Sequence, residues 1–314
     1  MGNRRRSHRR SRNEVPAVRR RNPRRTSAPA GATLLALALV AAACGSGGSD
    51  TVVANSDDLS HIHDLTFDED GNLLVASHLG LWRVEGPDRA VLVGAQQHDL
   101  MSMTSDTDGS LIAGGHPDLR LDDFRADGKP PFLGLARSTD GGSSWDVMGL
   151  LGEADFHALV PADGGLYAAG GAGRIWHLDA EGNWTELGEM LARDLAIDPA
   201  DTSRQIAPDY EGGVWTSSDG AANWTQIDDA PALVEIEWLE PTLILGMDEE
   251  GSVWQAESPE GPWETVATGP AGVETFWVDP NGSWWVTVEG DAISRSDDRG
   301  ATWQTVYSPP PAPR

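Results

Sequence analysis

Short apolar runs separated by Gly, Asp, Asn and Pro recur along most of this 314-residue chain. A typical unit is HIHDLTFDEDGNLLVASHLGLWRV (61–84): an apolar run, a polar turn, a second apolar run, a glycine break, and a third run carrying Leu and Trp. Comparable units begin near 98, 156, 193, 234 and 273. Runs this short, bounded by turn residues, read as β-strands. Trp145, Trp184, Trp224, Trp263 and Trp303 follow one another at intervals of 39, 40, 39 and 40 residues. A period near 40 with four strands per period is the signature of a propeller whose repeat is one blade. The pattern predicts an all-β chain of six four-stranded blades over 57–308, or seven if the long second unit holds another. TVVAN (51–55) is expected to pair with the last blade and close the ring, and 309–314 is a Pro-rich tail. The extra length of the second unit is PDLRLDDFRADGKPPFLG (117–134), an insertion of the kind that often forms a lid.

The tryptophans end a second pattern. STDGGSSW (138–145), SSDGAANW (217–224) and SDDRGATW (296–303) are close copies, and HLDAEGNW (177–184) and AESPEGPW (256–263) are degraded ones. Asp and Gly suit a tight hairpin turn and Trp supplies a large apolar plate, so the motif is a structural device. It resembles the BNR/Asp-box repeat of sialidases, sortilin-type receptors and photosystem assembly factors. That resemblance implies a fold and not an activity.

Composition divides the chain. Residues 4–25 hold 11 of the 23 basic residues with one acid, Glu14, and are followed by GATLLALALVAAA (31–43) and the only cysteine, Cys44. The apolar run is short for a membrane span, and the whole reads as an export signal over 1–43. VAAAC resembles a lipoprotein processing site, although Ala41 stands where Leu is preferred, so Cys44 is the expected lipidation site. Residues 44–56 then form a Gly/Ser tether, and the protein is expected to be exported and anchored to the cell membrane. Beyond residue 43 the remaining 12 basic residues face 48 acids, a formal charge of −36. Such a surface repels nucleic acid. One cysteine permits no disulfide, leaving blade packing to hold the fold.

Histidine is distributed unevenly. His61, His63, His78, His98, His116, His157 and His177 all lie in the first half of the mature domain. His63 and His157 fall near the start of a first strand, and His78 and His116 at the end of a second. Antiparallel pairing brings those ends together at the mouth of the central channel. His61, His63, His78, His116 and His157 are therefore the candidate ligands of one transition-metal ion, with Met101 and Met103 as nearby soft donors. Acid–base work is the alternative, for which Asp64, Glu153, Asp155 and His157 are the candidate catalytic residues and Asp99 lies close by.

HIHDL, ASHLGLWR, HDLMSM, GGHPD, LGLARSTDGGSSW and GEADFHAL, in order across 61–159, resemble a bacterial secreted propeller family usually labelled exo-α-sialidase or glycosylhydrolase-like. That resemblance implies export and, if there is an activity, glycoside hydrolysis. Sialidases themselves carry a Phe/Tyr-Arg-Ile-Pro motif, an arginine triad and a nucleophilic tyrosine. The motif is missing, Tyr167, Tyr210 and Tyr307 lie in strands, a rim turn or the tail, and Arg174 and Arg193 could bind an anion but complete no triad. The expected function is ligand binding at the histidine-bearing rim of blades one to three. A glycoside hydrolase acting on envelope or extracellular glycans, or a scaffold for a protein partner, is the alternative.

Overall fold

A computed structural model describes residues 51–55, 58–162 and 164–312. The signal segment, Cys44 and most of the tether lie outside them. The described chain forms six four-stranded antiparallel sheets, each built from four consecutive strands. Blade one comprises β1 (Ile62–Phe67), β2 (Leu73–Ser77), β3 (Gly80–Gly86) and β4 (Arg89–Leu92). Blade two holds β5 (Asp99–Ser105), β6 (Leu111–His116), β7 (Gly134–Ser138) and β8 (Asp146–Gly149), and blade three β9 (Phe156–Ala162), β10 (Gly165–Gly170), β11 (Arg174–Leu178) and β12 (Trp184–Glu189). Blade four runs through β13 (Ala196–Ile197), β14 (Gln205–Pro208), β15 (Val214–Ser217) and β16 (Thr225–Gln226). Blade five has β17 (Leu233–Glu240), β18 (Leu243–Asp248), β19 (Ser252–Ala256) and β20 (Glu264–Thr268). Blade six has β21 (Val273–Val278), β22 (Trp284–Val288), β23 (Ala292–Ser296) and β24 (Gln304–Tyr307). The first strand of each blade touches the first strand of the next all the way round, β21 against β1 included, so the propeller is a closed ring about a central channel.

Two expectations are corrected. The 117–134 insertion is not a seventh blade: it contains one 3-10 turn, Asp122–Phe124, and is held by buried Phe124 and Leu133 in the core and by Arg120, which donates to Gln97 Oε1 at 2.8 Å just ahead of blade two. The 51–55 segment does not close the ring. It bridges Val53 to Val91 and adds an edge to β4 of blade one, with Ala54 N donating to Ala90 O at 2.9 Å. Closure comes instead mainly from side chains, because Trp285, Ile293 and Tyr307 of blade six share one buried cluster with Leu59, just ahead of blade one, and Ile62 and Trp82 within it, beside a single backbone bond from Ser308 N to Pro87 O at 2.9 Å. Burying apolar area at this seam substitutes for a closing strand.

The turns headed by Asp140, Asp219 and Asp298, two of them Asp-x-Gly-x-x-Trp and the second with Ala221 at the glycine position, join the third and fourth strands of blades two, four and six with the same bonding. Asp140 Oδ1 accepts from Ser144 N at 2.8 Å, Asp219 Oδ1 from Asn223 N at 2.9 Å, and Asp298 Oδ1 from Thr302 N at 2.8 Å. The serine two before each Asp accepts a further backbone N–H from inside the turn, that of Gly142, Ala221 or Gly300. Each tryptophan packs against the preceding blade: Trp145 joins the core shared with blade one, Trp184 that with blade two, and Trp224 that with blade three. Glycines admit these plates. A Cβ on Gly149 would stand 2.8 Å from Trp184 Nε1, and one on Gly269 3.0 Å from Trp303.

Candidate functional site

Up-and-down blades put the start of every first strand, the end of every second strand and the turn that follows it at one end of the ring. At that end the innermost strands share a local device. In five blades one residue is left out of register near the start of the first strand: His63, Met101, His157, Val234 and Glu274. A bulge of this kind re-aims a side chain that regular pleating would send elsewhere. His61 precedes the first bulge with φ of 98°, a left-handed value uncommon for a residue with a Cβ. Its backbone is held there by Asp291, whose Oδ1 accepts from His61 N at 3.0 Å. His61 and His63 therefore share a face through a bulge and a twisted backbone, not through the two-residue period of a flat strand.

The result is a belt of alternating imidazoles and carboxylates running from blade six to blade four. Glu274 Oε1 lies 2.9 Å from His61 Nδ1. The rings of His61, His63 and His78 form a triangle with centroids 4.7, 4.5 and 5.6 Å apart. His63 Nε2 lies 3.2 Å from His78 Nδ1, which in turn lies 2.8 Å from Asp99 Oδ1. The other oxygen of Asp99 is 3.3 Å from His116 Nδ1, and His116 Nε2 is 3.4 Å from Asp155 Oδ2. Asp155 Oδ2 is also 3.0 Å from His157 Nε2, and the Tyr210 hydroxyl is 3.0 Å from His157 Nδ1. Phe132, from the insertion, stands beside His116 with ring centroids 6.1 Å apart.

Burial and charge set the protonation of the belt. His63 is driven down to about 3, first by burial and then by the His78 and His61 rings, so its imidazole is neutral. The Glu274 hydrogen bond raises His61, and the Asp99 hydrogen bond raises His116. Burial opposes charge on Asp99, but hydrogen bonds from His116 and His78 outweigh it and hold the carboxyl below its ordinary range. Tyr210 is pushed up by burial.

Beneath the belt the channel encloses about 1220 Å3 and is lined by all six innermost strands. Asp64, Asp194, Glu235 and Glu237 line it, and each accepts a backbone N–H from the next blade: Met103, Ile236, Phe276 and Val278 respectively. Burial raises all four, Asp64 to about 7, Asp194 to about 6, Glu237 to about 8, and Glu235 well above its ordinary value. Arg193 is the one permanently cationic side chain among the described channel residues.

The structure thus places all five sequence-predicted imidazoles in one belt, but not in one shell. Among the described residues only His63, His78 and Asp99 have donor atoms all within 4.8 Å of one another. His116 and His157 meet Asp155 further along. Of the acids proposed for catalysis, Asp155 is in the belt, Asp64 is a channel carboxyl, and Glu153 sits apart at the surface, 3.4 Å from Lys129. His98 is fully buried against Phe124 and accepts from Asp118 N at 2.9 Å, and His177 stacks on Tyr167, so neither joins the rim. The sequence marks Asp99 only as an acid close to the rim histidines, and the channel carboxyls Asp194, Glu235 and Glu237 are not distinguishable in it among 49 acidic residues. The one available signal was their position directly before or within an apolar first strand, as in RDLAI and VEIEW.

No family model matches the chain, and no curated protein matches it. Solved structures do. The chain is 18% identical to the protein described as YCF48 bound to D1 peptide, with 82% of this chain and 84% of that one covered and a TM-score of 0.51. It is 15% identical to the WD40 β-propeller domain of Doa1, with 82% and 88% covered and a TM-score of 0.57. For an ancestral GH74 enzyme the identity is 13%, the coverage 79% of this chain and 39% of that one, and the TM-score 0.50. At such identities the likeness is one of fold: this chain is a six-bladed β-propeller.

Proposed function

We propose that this protein is an exported, membrane-anchored propeller that binds a ligand at the mouth of its channel, on the rim of blades one to three. The observation that carries the reading is the continuous imidazole–carboxylate belt at that mouth. His63 and Asp155, the most buried of these groups, are costly to keep from water unless they serve one another or a ligand. Exposed apolar side chains collect at the same end: Leu79 and Leu119 follow second strands, Leu191 precedes a first strand, and Tyr210 caps blade four. Export and anchoring rest on the basic segment, the short apolar run and Cys44, and the strongly acidic surface argues against nucleic acid as the ligand.

Photo-crosslinking in the native host tests the rim. A photoreactive residue at Leu79 or Tyr210 should give a discrete adduct, and one at Val266, on the outer strand β20, should not. Equal labelling at all three positions would dispose of the rim. For the anchor, Cys44→Ser should move the protein from the membrane to the soluble fraction or leave it unprocessed.

Glycoside hydrolysis is the second reading. Carboxyl groups raised to about 8 at Glu237 and about 6 at Asp194 line the channel, and a glycosidase needs one protonated carboxyl as its acid. A panel of chromogenic glycosides separates the two. The binding reading predicts no turnover, and turnover abolished by Glu237→Gln would replace it.

A further inference from the structure

We propose that His63 Nε2, His78 Nδ1 and Asp99 Oδ1 are the ligands of a zinc-class transition-metal ion, held between blades one and two at the channel mouth. The inference rests on the rim reading above and gives it a chemical centre. Its basis is a mismatch between donors and acceptors. His78 Nδ1 is 2.8 Å from Asp99 Oδ1 and 3.2 Å from His63 Nε2, and His63 Nε2 is 3.7 Å from that same carboxylate oxygen. A carboxylate only accepts, and each ring nitrogen of a neutral imidazole either donates or accepts. If both nitrogens carry protons, two N–H groups face each other. If only His63 does, the lone pair of His78 is turned on a carboxylate at 2.8 Å. If only His78 does, one proton serves two acceptors and the lone pair of His63 is left beside the anion. No neutral tautomer pair gives each of the two hydrogen-bond-length contacts its own proton and its own lone pair.

A cation at the centre of the three atoms does satisfy them. Ligand bonds of about 2.0–2.2 Å in a tetrahedral site put the donor atoms about 3.4 Å apart, and the observed separations of 2.8, 3.2 and 3.7 Å bracket that edge. Two imidazoles and a carboxylate suit zinc, copper, nickel or iron better than calcium or magnesium. The surroundings are those of a built site. His63 is nine-tenths buried, with its side chain 9% exposed. The second oxygen of Asp99 lies 3.3 Å from His116 Nδ1, and His116 Nε2 lies 3.4 Å from Asp155 Oδ2, close enough for a second layer around the ligands to form. Three protein ligands leave a fourth position for an oxygen or nitrogen donor of an incoming molecule. The rim would then bind its ligand partly through the ion.

Zinc is the probe. The full-length protein is stripped with a chelator, dialysed and titrated calorimetrically with Zn2+, alongside His78→Ala, Asp99→Asn and, as a control in blade three, His177→Ala. Wild type and His177→Ala should take up one equivalent. His78→Ala and Asp99→Asn should lose at least tenfold in affinity while melting as cooperatively as the metal-free wild type. Both positions are partly exposed, and Asp99→Asn is nearly isosteric, so loss of fold is separable from loss of the site. Co2+ in place of zinc should give the intense visible absorption of a four-coordinate site in wild type and not in Asp99→Asn. No uptake by wild type, or equal uptake by wild type and both variants, overturns the assignment. Rim crosslinking that persists in zinc-free protein would leave the ligand-binding surface standing without the ion, and zinc uptake without rim crosslinks would leave the ion without that surface.

Discussion

Single side chains in this fold do unlike work even when the sequence repeats them. Trp145 is 3% exposed within the core between blades one and two, whereas Trp224, its counterpart in blade four, is only half-buried. Trp145→Ala should therefore cost about 3–5 kcal/mol, the range for emptying a buried aromatic site, and Trp224→Ala distinctly less, by denaturant unfolding. Equal losses would mean that the repeat, not local burial, sets the energy. Glu237 gives a prediction in pH. Its carboxyl is raised to about 8 in the folded protein from an ordinary value of 4.5. A raised carboxyl binds its proton more tightly when folded, so its stabilising contribution is complete below about pH 4.5 and is lost as pH rises toward 8. Glu237→Gln, which cannot ionise, should lose less stability than wild type between pH 5 and pH 8, as read from melting temperatures at both. A variant as pH-sensitive as wild type would place the titration elsewhere.

At the scale of the element, the turn between the third and fourth strands is fixed by its own polar groups before any packing. Ser138 is buried, accepts from Gly142 N at 2.8 Å and donates to Asp140 Oδ1 at 2.8 Å. Ser138→Ala strands a buried N–H, a loss of about 1–3 kcal/mol by urea unfolding. Gly142 itself has φ of 86°, and a Cβ there would lie 2.0 Å from Leu81 Cδ2 of blade one, so the turn also packs tightly on the neighbouring blade. The bulges that open the innermost strands work in the opposite sense. They break regular pairing and so turn His63, His157 and Glu274 toward the rim.

For the whole molecule, the seam between the first and last blades carries the closure. Tyr307 is fully buried in the cluster that blade six shares with blade one, while Val52 and Val53 form an exposed edge on β4. Tyr307→Ala should lower the unfolding free energy by about 3–5 kcal/mol. Removing the chain before Ala54 should cost less than about 1 kcal/mol and leave a cooperative transition, since an exposed edge strand buries little. If the truncation proves the more damaging, closure by strand addition is restored and the side-chain seam is wrong.

The sequence by itself determined the architecture. Strand-length apolar runs with four per period of about 40, and tryptophans at constant spacing, left a propeller of six or seven blades as the arrangement that buries every repeat against its neighbours, and the course of the 117–134 insertion decided for six. It also singled out the histidines, because matching places in consecutive blades must come to the same end of the ring. It could not decide which of them meet. That depends on one-residue bulges, on a positive φ at His61, and on where Asp99 and Asp155 of adjacent blades lie between the imidazoles. Nor could it separate Asp194, Glu235 and Glu237 from dozens of solvated acids, for a carboxylate becomes distinctive only when the ring closes and water withdraws from it. Local pattern fixes what each blade is, and contact between blades, which no single repeat encodes, decides what the mouth of the channel can hold.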